Sequence, residues 1–328
     1  MPAYQVVMTA PHLAARAATL LEASGAVLHY TAPYPEAGAV AALVARVRAD
    51  AILARQGVID AAVMDASPRL RIIARHGVGV DNVDLDAAAA RGLLVTRAPG
   101  SNTAAVAEHT LALILAWAKG LRPLGIAVAD GGWRDAGMVR DVAGLRLGLV
   151  GFGAVGREVA RLAQAFGMAV MAHDPAAKPA AGPSAGQGAG QAAALPDLLA
   201  WAQVVSLHCP LLPATHHLID AAALARMPAG GLVVNTARGG IVDEAALLAA
   251  LQSGHLSGAA LDVFEREPPP PDHPLRRHPR VMVTPHVAGV TPYALDRMGL
   301  MAAECIVACL SGQPIGPERI VVGGKRLA

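Results

Sequence analysis

Residues 151–156 read Gly-Phe-Gly-Ala-Val-Gly, and the segments on either side of this hexapeptide decide the fold of the chain. The apolar run Leu145–Val150 precedes it and is typical of a buried strand, and the apolar periodicity that continues to about Gly167 is typical of a helix. Glycines at the first, third and sixth positions permit a tight turn and a close approach of helix to strand. The pattern predicts a strand–turn–helix unit.

A second short strand, Met168–Ala172, is expected after this helix, and Asp174 lies 18 residues after Gly156. An acid at about this spacing is typical of dinucleotide-binding units. We expect Gly151 to form the turn, Gly153 to let the backbone approach a pyrophosphate, and Gly156 to pack helix on strand. The acid would bind the adenosine ribose and repel a 2′-phosphate, which favours NAD over NADP. The histidine before it weakens that repulsion if it is charged.

The composition is that of a globular protein with an interior of small aliphatic side chains. Hydrophobic residues make up 54% of the 328 residues, and the formal net charge is only +2. So small a charge gives no general attraction to nucleic acid or to an acidic membrane surface. Charged residues interrupt the apolar runs too often for a bilayer span, and the N-terminus lacks a signal-peptide pattern, so we expect a cytoplasmic protein.

Cysteine and histidine give little sign of disulfides or metal. The three cysteines provide no disulfide framework, and Cys305 and Cys309 fall in an apolar helical stretch that predicts burial. We expect no metal site, because no group of potential ligands has a convincing spacing. The adjacent His216 and His217 would point their rings in different directions on a regular element, and we expect them to lie at a surface turn.

Residues 1–100 alternate apolar strands with alanine-rich helices, which predicts a small parallel sheet covered on both faces. A long helix, Thr103–Leu121, is expected next, and the alternation resumes after the glycine turn. A last amphipathic helix is expected at Pro292–Leu310. The remaining expected strands are Gln5–Thr9, Val27–Thr31, Ala51–Ala54, Arg71–Arg75, Leu93–Thr96, Val204–His208, Leu232–Asn235, Ala259–Val263 and Val281–Thr284.

Because the glycine turn lies in the middle of the chain, the expected fold is α/β with two doubly wound parallel-sheet domains. A Rossmann NAD-binding domain of residues 101–289 would be inserted into a flavodoxin-like substrate domain of residues 1–100 and 290–328. The low-complexity stretch Ala176–Ala194 is expected to be a loop or a poorly ordered helix start. Residues 182–186 within it match G-x-S-x-G, but no strand precedes them, so we take that match as chance.

Three predicted strands in the second half end near charged or titratable side chains, which are Arg238, Glu267 and His286. Ligands of open α/β sheets bind at the carboxyl ends of the strands, so these side chains can converge where a nicotinamide lies. An arginine can orient a carboxylate and polarise a carbonyl, and a histidine can protonate the oxygen formed by hydride transfer to a 2-oxo acid. Glu267 would favour the protonated form of His286 and orient its ring. Each residue alone also fits a structural role, as a turn arginine, a solvated acid or a core histidine.

The chain resembles the D-isomer-specific 2-hydroxyacid dehydrogenases, a family that includes phosphoglycerate dehydrogenases, hydroxypyruvate and glyoxylate reductases and D-lactate dehydrogenases. The resemblance covers nearly the whole chain. It implies an NAD-dependent oxidoreductase that interconverts a (R)-2-hydroxy acid and its 2-oxo acid, with Arg238, Glu267 and His286 as the catalytic set. The segments that carry it are Arg75–Asp84, Asn102–Glu108, Gly151–Gly156, Asn235–Gly240, Asp262–Pro268 and Thr284–Gly289.

The resemblance also implies contacts with substrate and cofactor. The backbone N–H groups of Val78 and Gly79 would bind the substrate carboxylate. Members of the family are usually dimers joined through the nucleotide domain, so we expect a homodimer, with a small-molecule substrate and no nucleic-acid or membrane partner. The implied cofactor contacts are Thr103, Gly151, Gly153, Ala154, Val155, Gly156, Asp174, Pro210, Thr215, Thr236, Asp262 and Gly289.

The identity of the substrate is left open. Arg55 follows the third predicted strand and Arg75 ends the fourth, and an arginine at the position of Arg55 faces the substrate phosphate in phosphoglycerate dehydrogenases. Both arginines equally suit an ordinary surface or interdomain position. Hydroxypyruvate, glyoxylate and 3-phosphoglycerate are all candidates. We expect no regulatory domain, because the chain stops soon after its last helix.

A second possible function is that of an NAD(H)-sensing corepressor-like binding protein, since C-terminal-binding-protein corepressors share this fold and catalytic set. The chain has no long polar tail and no recognisable peptide-binding feature in support of it. Formate dehydrogenases are a third relative, but they lack an acid at the position of Glu267.

Overall fold

A computed structural model, which describes residues 4–133, 139–176 and 191–324, divides the chain into two compact units. The first unit comprises residues 1–102 and 290–328, and the second comprises residues 103–289. The second unit is therefore an insertion in the chain of the first.

The described strands and helices alternate along most of the chain. The strands are β1 (Tyr4–Met8), β2 (Ala26–Tyr30), β3 (Ala51–Ala54), β4 (Ile72–Arg75), β5 (Leu94–Thr96), β6 (Arg146–Val150), β7 (Ala169–His173), β8 (Gln191–Ala192), β9 (Val204–Leu207), β10 (Gly231–Asn235), β11 (Leu256–Leu261), β12 (Val281–Val283) and β13 (Ile320–Val322). The helices are α1 (Ala15–Ala23), α2 (Ala37–Val47), α3 (Ala61–Asp65), α4 (Leu85–Ala90), α5 (Thr103–Ala118), α6 (Leu121–Ala129), α7 (Ala154–Ala165), α8 (Leu195–Trp201), α9 (Ala221–Arg226), α10 (Glu244–Gln252), α11 (Pro274–Arg277) and α12 (Pro292–Ser311).

The first unit is built on a sheet whose described strands run in the order β13-β5-β4-β3-β1-β2. Strands β1 to β5 are parallel, in the order typical of flavodoxin-like sheets. Leu21 of α1 and Ile306 of α12 are fully buried in the core on one face, and Val44 of α2 and Ile73 of β4 are fully buried in the core on the other. The C-terminal segment contributes the antiparallel edge strand β13 as well as the expected helix, and that strand was not predicted.

The second unit is built on a sheet whose described strands run in the order β12-β11-β10-β9-β6-β7-β8, with every pair parallel. Two cores lie on it, one that includes Leu198, Leu224 and Leu247 and one that includes Ile114 and Val159. The strand order reverses between β6 and β9, which is the point where doubly wound sheets bind ligands. The two α/β sheets confirm the predicted fold class.

The second unit also contains two elements that were not predicted, the helix α6 and the strand β8. The helix predicted over Thr103–Leu121 is present as α5, which ends at Ala118, and α6 follows it at a bend of 56° beside Gly120, which has a φ of 56°. Strand β8 lies inside the predicted loop 176–194, while the G-x-S-x-G match at 182–186 lies outside the described residues. No single described helix is long and apolar enough to cross a membrane. Helices α5 and α6 taken together are, but by length and composition only.

Candidate active site

The predicted site residues of the second unit follow the carboxyl ends of neighbouring strands. This placement groups side chains that are far apart in sequence at one edge of a single sheet. Strand β6 leads to the glycine turn, β7 to Asp174, β9 to Pro210 and Thr215, β10 to Thr236 and Arg238, β11 to Asp262 and Glu267, and β12 to His286 and Gly289.

The three glycines of the turn are constrained differently. Gly151 has a φ of 97°, and a Cβ there would lie 2.6 Å from the Cys209 nitrogen. A Cβ at Gly156 would overlap the Gly151 carbonyl oxygen, so both glycines are required by packing within the protein. A Cβ at Gly153 would meet nothing within 4 Å. Open space in front of the first turn of α7 is what a pyrophosphate on a helix N-terminus requires.

Asp174 lies at the end of β7 and is tied to the glycine turn. Its Oδ2 accepts a hydrogen bond from the Phe152 N–H at 2.8 Å, and its Oδ1 accepts one from the Ala176 N–H at 2.9 Å. The neighbouring His173 has its Nδ1 3.0 Å from the Ala193 carbonyl oxygen, so Nδ1 is the donor in that bond. The carboxylate is therefore held beside the turn by backbone donors on both of its oxygens.

The remaining implied cofactor contacts occupy turns and helix starts. The Thr215 hydroxyl donates to the Pro210 carbonyl oxygen at 2.7 Å and closes the turn after β9. The Thr236 hydroxyl lies 3.1 Å from the Thr110 hydroxyl of α5. Their contacts with a cofactor stay predictions, as do those of Thr103 at the start of α5, Ala154 and Val155 in the first turn of α7, and Gly289.

His286 and Glu267 form a direct pair, with His286 Nδ1 2.6 Å from Glu267 Oε2. The other carboxylate oxygen, Oε1, accepts a hydrogen bond from the Phe264 N–H at 3.1 Å. Burial alone raises the pKa of the Glu267 carboxyl, but the hydrogen bond and charge of His286, the Phe264 N–H and the charge of Arg238 outweigh it. The pKa therefore lies below its ordinary value. Glu267 is ionised at neutral pH and positions the imidazole.

The loop that carries His286 is held by a buried carboxylate. Asp262 is 1% exposed, and it accepts hydrogen bonds from the Thr284 hydroxyl at 2.5 Å and from the N–H groups of Val287 and Ala288 at 2.9 and 2.8 Å. The His286 N–H also donates to the Asp262 carbonyl oxygen at 2.8 Å. His286 has a φ of 53°, an uncommon backbone conformation that this set of bonds supports. The cofactor contact implied for Asp262 stays a prediction.

Arg238 follows β10 in a turn that Asn235 organises. The Asn235 Nδ2 donates to the Arg238 carbonyl oxygen at 2.8 Å, and its Oδ1 accepts from the Ala237 N–H at 3.0 Å. The Arg238 guanidinium donates to the Ala237 carbonyl oxygen at 2.7 Å, and its charge contributes to the lowered pKa of Glu267. Arg238 therefore belongs to the same group of side chains as the His286–Glu267 pair.

Glu244 supports the loop that carries Glu267, a role that the sequence does not reveal. Its Oε1 accepts a hydrogen bond from the Glu265 N–H at 2.9 Å, and its Oε2 lies 3.0 Å from His273 Nε2. Asp243 caps the helix that begins at Glu244, and that cap is a visible sequence signal. The contact between Glu244 and a backbone group on a different loop has no such signal.

In the first unit, Arg75 shapes the segment that contains Val78 and Gly79. Its guanidinium donates to the carbonyl oxygens of Gly79 at 2.7 Å, Ala54 at 2.9 Å, Arg55 at 3.1 Å and His76 at 3.0 Å. The N–H groups of Val78 and Gly79 have no hydrogen-bond acceptor among the described residues. Arg75 thus has a structural task in this unit, and its predicted contact with substrate stays a prediction.

Arg55 differs from Arg75, because its half-buried guanidinium forms no hydrogen bond or ion pair within residues 4–133, 139–176 and 191–324. Its backbone N–H donates to the Thr9 hydroxyl at 2.8 Å, which fixes the start of the side chain. Burial lowers the pKa of Arg55, and the charge of Tyr34 partly opposes that effect. A buried cation without an acid partner is a place where an anionic ligand is favoured.

His216 and His217 lie in a turn with His216 exposed, as predicted. Their rings are stacked, with centroids 4.0 Å apart and planes inclined by 25°. The reason is the backbone of His217, whose φ of 50° departs from that of a regular element and turns its ring back over its neighbour.

The arrangement around the glycine turn is that of a dinucleotide-binding domain, and comparison with known proteins identifies its family. The family model described as D-isomer specific 2-hydroxyacid dehydrogenase, NAD binding domain, matches residues 111–288. The chain is 43% identical over 278 residues to D-3-phosphoglycerate dehydrogenase of Mycobacterium bovis, a match that covers 84% of this chain and 52% of that protein. It is 44% identical over 247 residues to (S)-sulfolactate dehydrogenase of Chromohalobacter salexigens, which covers 75% of this chain and 79% of that protein.

A solved structure supports the same assignment. The crystal structure of the TT0316 protein from Thermus thermophilus superposes with a TM-score of 0.87 at 38% identity, covering 97% of this chain and 100% of that chain. The protein belongs to the D-isomer specific 2-hydroxyacid dehydrogenase family. The match covers 52% of the phosphoglycerate dehydrogenase, so this chain spans about half the length of that relative.

Proposed function

We propose that the protein is an NAD-dependent oxidoreductase that transfers a hydride between NAD(H) and C2 of a (R)-2-hydroxy acid or 2-oxo acid. The observation that carries the proposal is the 2.6 Å contact between His286 Nδ1 and Glu267 Oε2, close to Arg238, in a domain that matches the NAD-binding domain of the family. The two curated relatives described above are dehydrogenases by name.

The residues at the glycine turn fit a dinucleotide. The open space at Gly153 and the free first turn of α7 suit a pyrophosphate, and the Asp174 carboxylate beside them suits a ribose with no 2′-phosphate. When bound, the nicotinamide supplies or accepts the hydride at its C4 position. Asp174 holds the turn through the Phe152 N–H, so its loss would disturb both the ribose contact and the phosphate site.

His286 is the proton donor and acceptor in this proposal. Its Nδ1 faces the ionised Glu267, so its Nε2 is the atom that exchanges a proton with the C2 oxygen of the substrate. Glu267 holds the imidazole ring in the orientation that this proton transfer requires. Arg238 orients the substrate carboxylate with its planar pair of donors and polarises the carbonyl group.

The substrate that we propose has a second anionic group in addition to its carboxylate. Two of the curated relatives are named for phosphoglycerate and sulfolactate, which both have such a group, and another is named glyoxylate reductase. Arg55 supports this choice, because it is half-buried and has no hydrogen bond or ion pair among the described residues. The N–H groups of Val78 and Gly79 would bind the carboxylate. Hydroxypyruvate and glyoxylate are the alternatives that lack the second anion.

We further propose a homodimer, joined through the NAD-binding domain, in the cytoplasm. None of the described side chains of α6 is buried, although the helix is mainly apolar. Leu121, Ile126 and Val128 are more than half exposed, at 61%, 53% and 51%. Apolar side chains exposed together on one helix favour contact with another protein surface, and a second copy of the chain is the simplest partner.

The test is NADH oxidation at neutral pH with phosphohydroxypyruvate, 3-sulfopyruvate, hydroxypyruvate, glyoxylate and pyruvate. We expect turnover, with kcat/KM highest for the acids that have a second anion, and we expect Arg55→Gln to remove that preference selectively. His286→Ala should lower kcat by about 10²–10⁴-fold, the usual contribution of general acid catalysis. Bound NADH without turnover on any of these acids would contradict the proposal. Nothing about the curated relatives supports the alternative of an NAD(H)-sensing corepressor-like protein.

A further inference from the structure

Three potential metal ligands lie together outside the group formed by Arg238, Glu267 and His286. They are His216, His217 and Glu265, whose ligand atoms all lie within 4.8 Å of one another. His217 Nε2 is hydrogen-bonded to Glu265 Oε1, and the two imidazole rings are stacked at 4.0 Å. Among the described residues, this is the one group of three or more His, Cys, Asp or Glu side chains whose ligand atoms lie close enough together to hold a metal ion.

The backbone holds these three residues in place. The His217 N–H donates to the Gly240 carbonyl oxygen at 2.8 Å, and a Cβ at Gly240 would lie 3.6 Å from the His216 ring. The Glu265 N–H donates to the Glu244 carboxylate at 2.9 Å. The three ligands are therefore attached to segments that are hydrogen-bonded to the rest of the second unit.

We propose that His216, His217 and Glu265 form a binding site for a divalent transition cation of the zinc, cobalt or nickel class. Two imidazole nitrogens and one carboxylate are ligands that such cations prefer. The partly exposed position leaves room for water to complete the coordination, and the exposed side chains can close to metal–ligand distances by rotation. The cation takes the place of the hydrogen bond between His217 Nε2 and Glu265 Oε1.

The position of the site gives the cation a structural effect. His216 and His217 follow β9 and Glu265 follows β11, while β10 lies between these two strands and leads to Arg238. The ion would therefore join two loops across the end of the strand that leads to Arg238. It would also fix Glu265, which lies two residues before Glu267. The proposal is independent of the hydride-transfer function, because it concerns different side chains.

The test is equilibrium binding of Zn²⁺ and Co²⁺ to the purified, metal-free full chain, followed by calorimetry and by the visible spectrum of Co²⁺. We expect saturable binding of one ion per chain and a rise in melting temperature with the ion present. His216→Ala and Glu265→Gln should each weaken binding by at least about 10-fold, because even the loss of a supporting partner of a metal ligand has an effect of that size. Both substitutions are at exposed positions, and the melting temperature without metal checks that the variants are folded.

The matched control is His286→Ala, which removes the other imidazole–carboxylate pair at this edge of the sheet. Zn²⁺ affinity within about threefold of the wild type in this variant supports the proposed site. Three results would overturn the proposal: no saturable binding to the wild type, unchanged affinity in His216→Ala and Glu265→Gln, or loss of the ion in His286→Ala.

Discussion

Gly239 lies so close to Phe264 that a Cβ at position 239 would overlap the Phe264 carbonyl carbon. The first of these residues follows Arg238, and the second donates its N–H to Glu267. The close contact joins the turn after β10 to the loop after β11. A side chain at position 239 must therefore shift either the backbone next to Arg238 or the backbone segment that donates to Glu267.

Gly239→Ala should lower kcat/KM for 2-oxo acid reduction by about 10²-fold or more, because a displacement of about 1 Å at a catalytic group has an effect of that order. Steady-state kinetics with NADH measures it. Gly38→Ala is the matched control, since a Cβ there meets nothing within 4 Å. Equal activity of the two variants would show that the contact between the loops is unimportant for catalysis.

Glu267→Gln keeps the shape of the side chain but removes the carboxylate charge that holds the His286 imidazole. The pKa of Glu267 lies below its ordinary value, so the wild-type carboxylate stays ionised until the pH falls below that lowered value. In the variant, kcat/KM for oxo acid reduction at neutral pH should fall by about tenfold or more, because hydrogen bonds to charged groups contribute about 1.5–3 kcal/mol. Steady-state kinetics with NADH measures this loss. Glu108→Gln, at an exposed position of α5, should leave kcat/KM unchanged.

Asp174→Ala removes the acceptor of the Phe152 N–H and the charge that repels a 2′-phosphate. The ratio of kcat/KM with NADH to kcat/KM with NADPH should fall by about tenfold or more, since hydrogen bonds to charged groups contribute about 1.5–3 kcal/mol. Kinetics with the two cofactors at a fixed oxo acid concentration give the ratio. Asp141→Ala, which removes an exposed acid, is the control, and an equal change in both variants would rule out the assigned role.

Ile126→Glu places a charge on the exposed apolar surface of α6. If that surface joins two copies of the chain, the variant should shift the protein from dimer to monomer, because an uncompensated charge is unfavourable in an apolar interface. Sedimentation velocity over a range of concentrations measures the change. The control is Asp130→Lys, at the exposed end of the helix. Arg122 is not suitable for this purpose, because its side chain donates to the Val281 carbonyl oxygen. A wild type that is monomeric at every concentration would contradict the proposed dimer.

His76 makes the first unit sensitive to acid. Burial, together with the charges of Arg55 and Arg75, lowers its pKa to about 3 from 6.5. Between these two values the unfolded chain binds a proton that the folded chain does not, so stability is full above pH 6.5 and falls as the pH decreases toward 3. His76→Gln should flatten this dependence in thermal unfolding measured from pH 7 downward. His278→Gln is the control, and identical curves for wild type and His76→Gln would contradict the assignment.

The nucleotide-binding part of the fold could be predicted because its signals are local. Each glycine of the turn has its own steric or ligand requirement, and Asp174 follows at a spacing set by one helix and one strand. The predicted strand ends were within a few residues of the observed ones, for example at Ala54 and Asn235. The pairing of His286 with Glu267 could be anticipated because neighbouring parallel strands end at the same edge of a sheet.

The features that were missed depend on contacts between distant residues or on single backbone angles. Strand β13 has only three residues, and it is a strand because it pairs with β5. The stacking of His216 on His217 depends on one φ of 50°, which no composition rule provides. The contact of Glu244 with the Glu265 N–H joins a helix start to a separate loop, so neither local sequence reveals it.

The edge strand β13 and the helix α12 complete a unit that the first residues of the chain begin. During synthesis, all of residues 103–289 are made before residues 290–328. The inserted unit is therefore complete before the unit into which it is inserted. The core that contains Leu21 can form only after Ile306 and Cys309, which belong to the same core, have been synthesised. The order of synthesis thus favours folding of the NAD-binding unit first, and the N-terminal segment stays incomplete until α12 and β13 have left the ribosome.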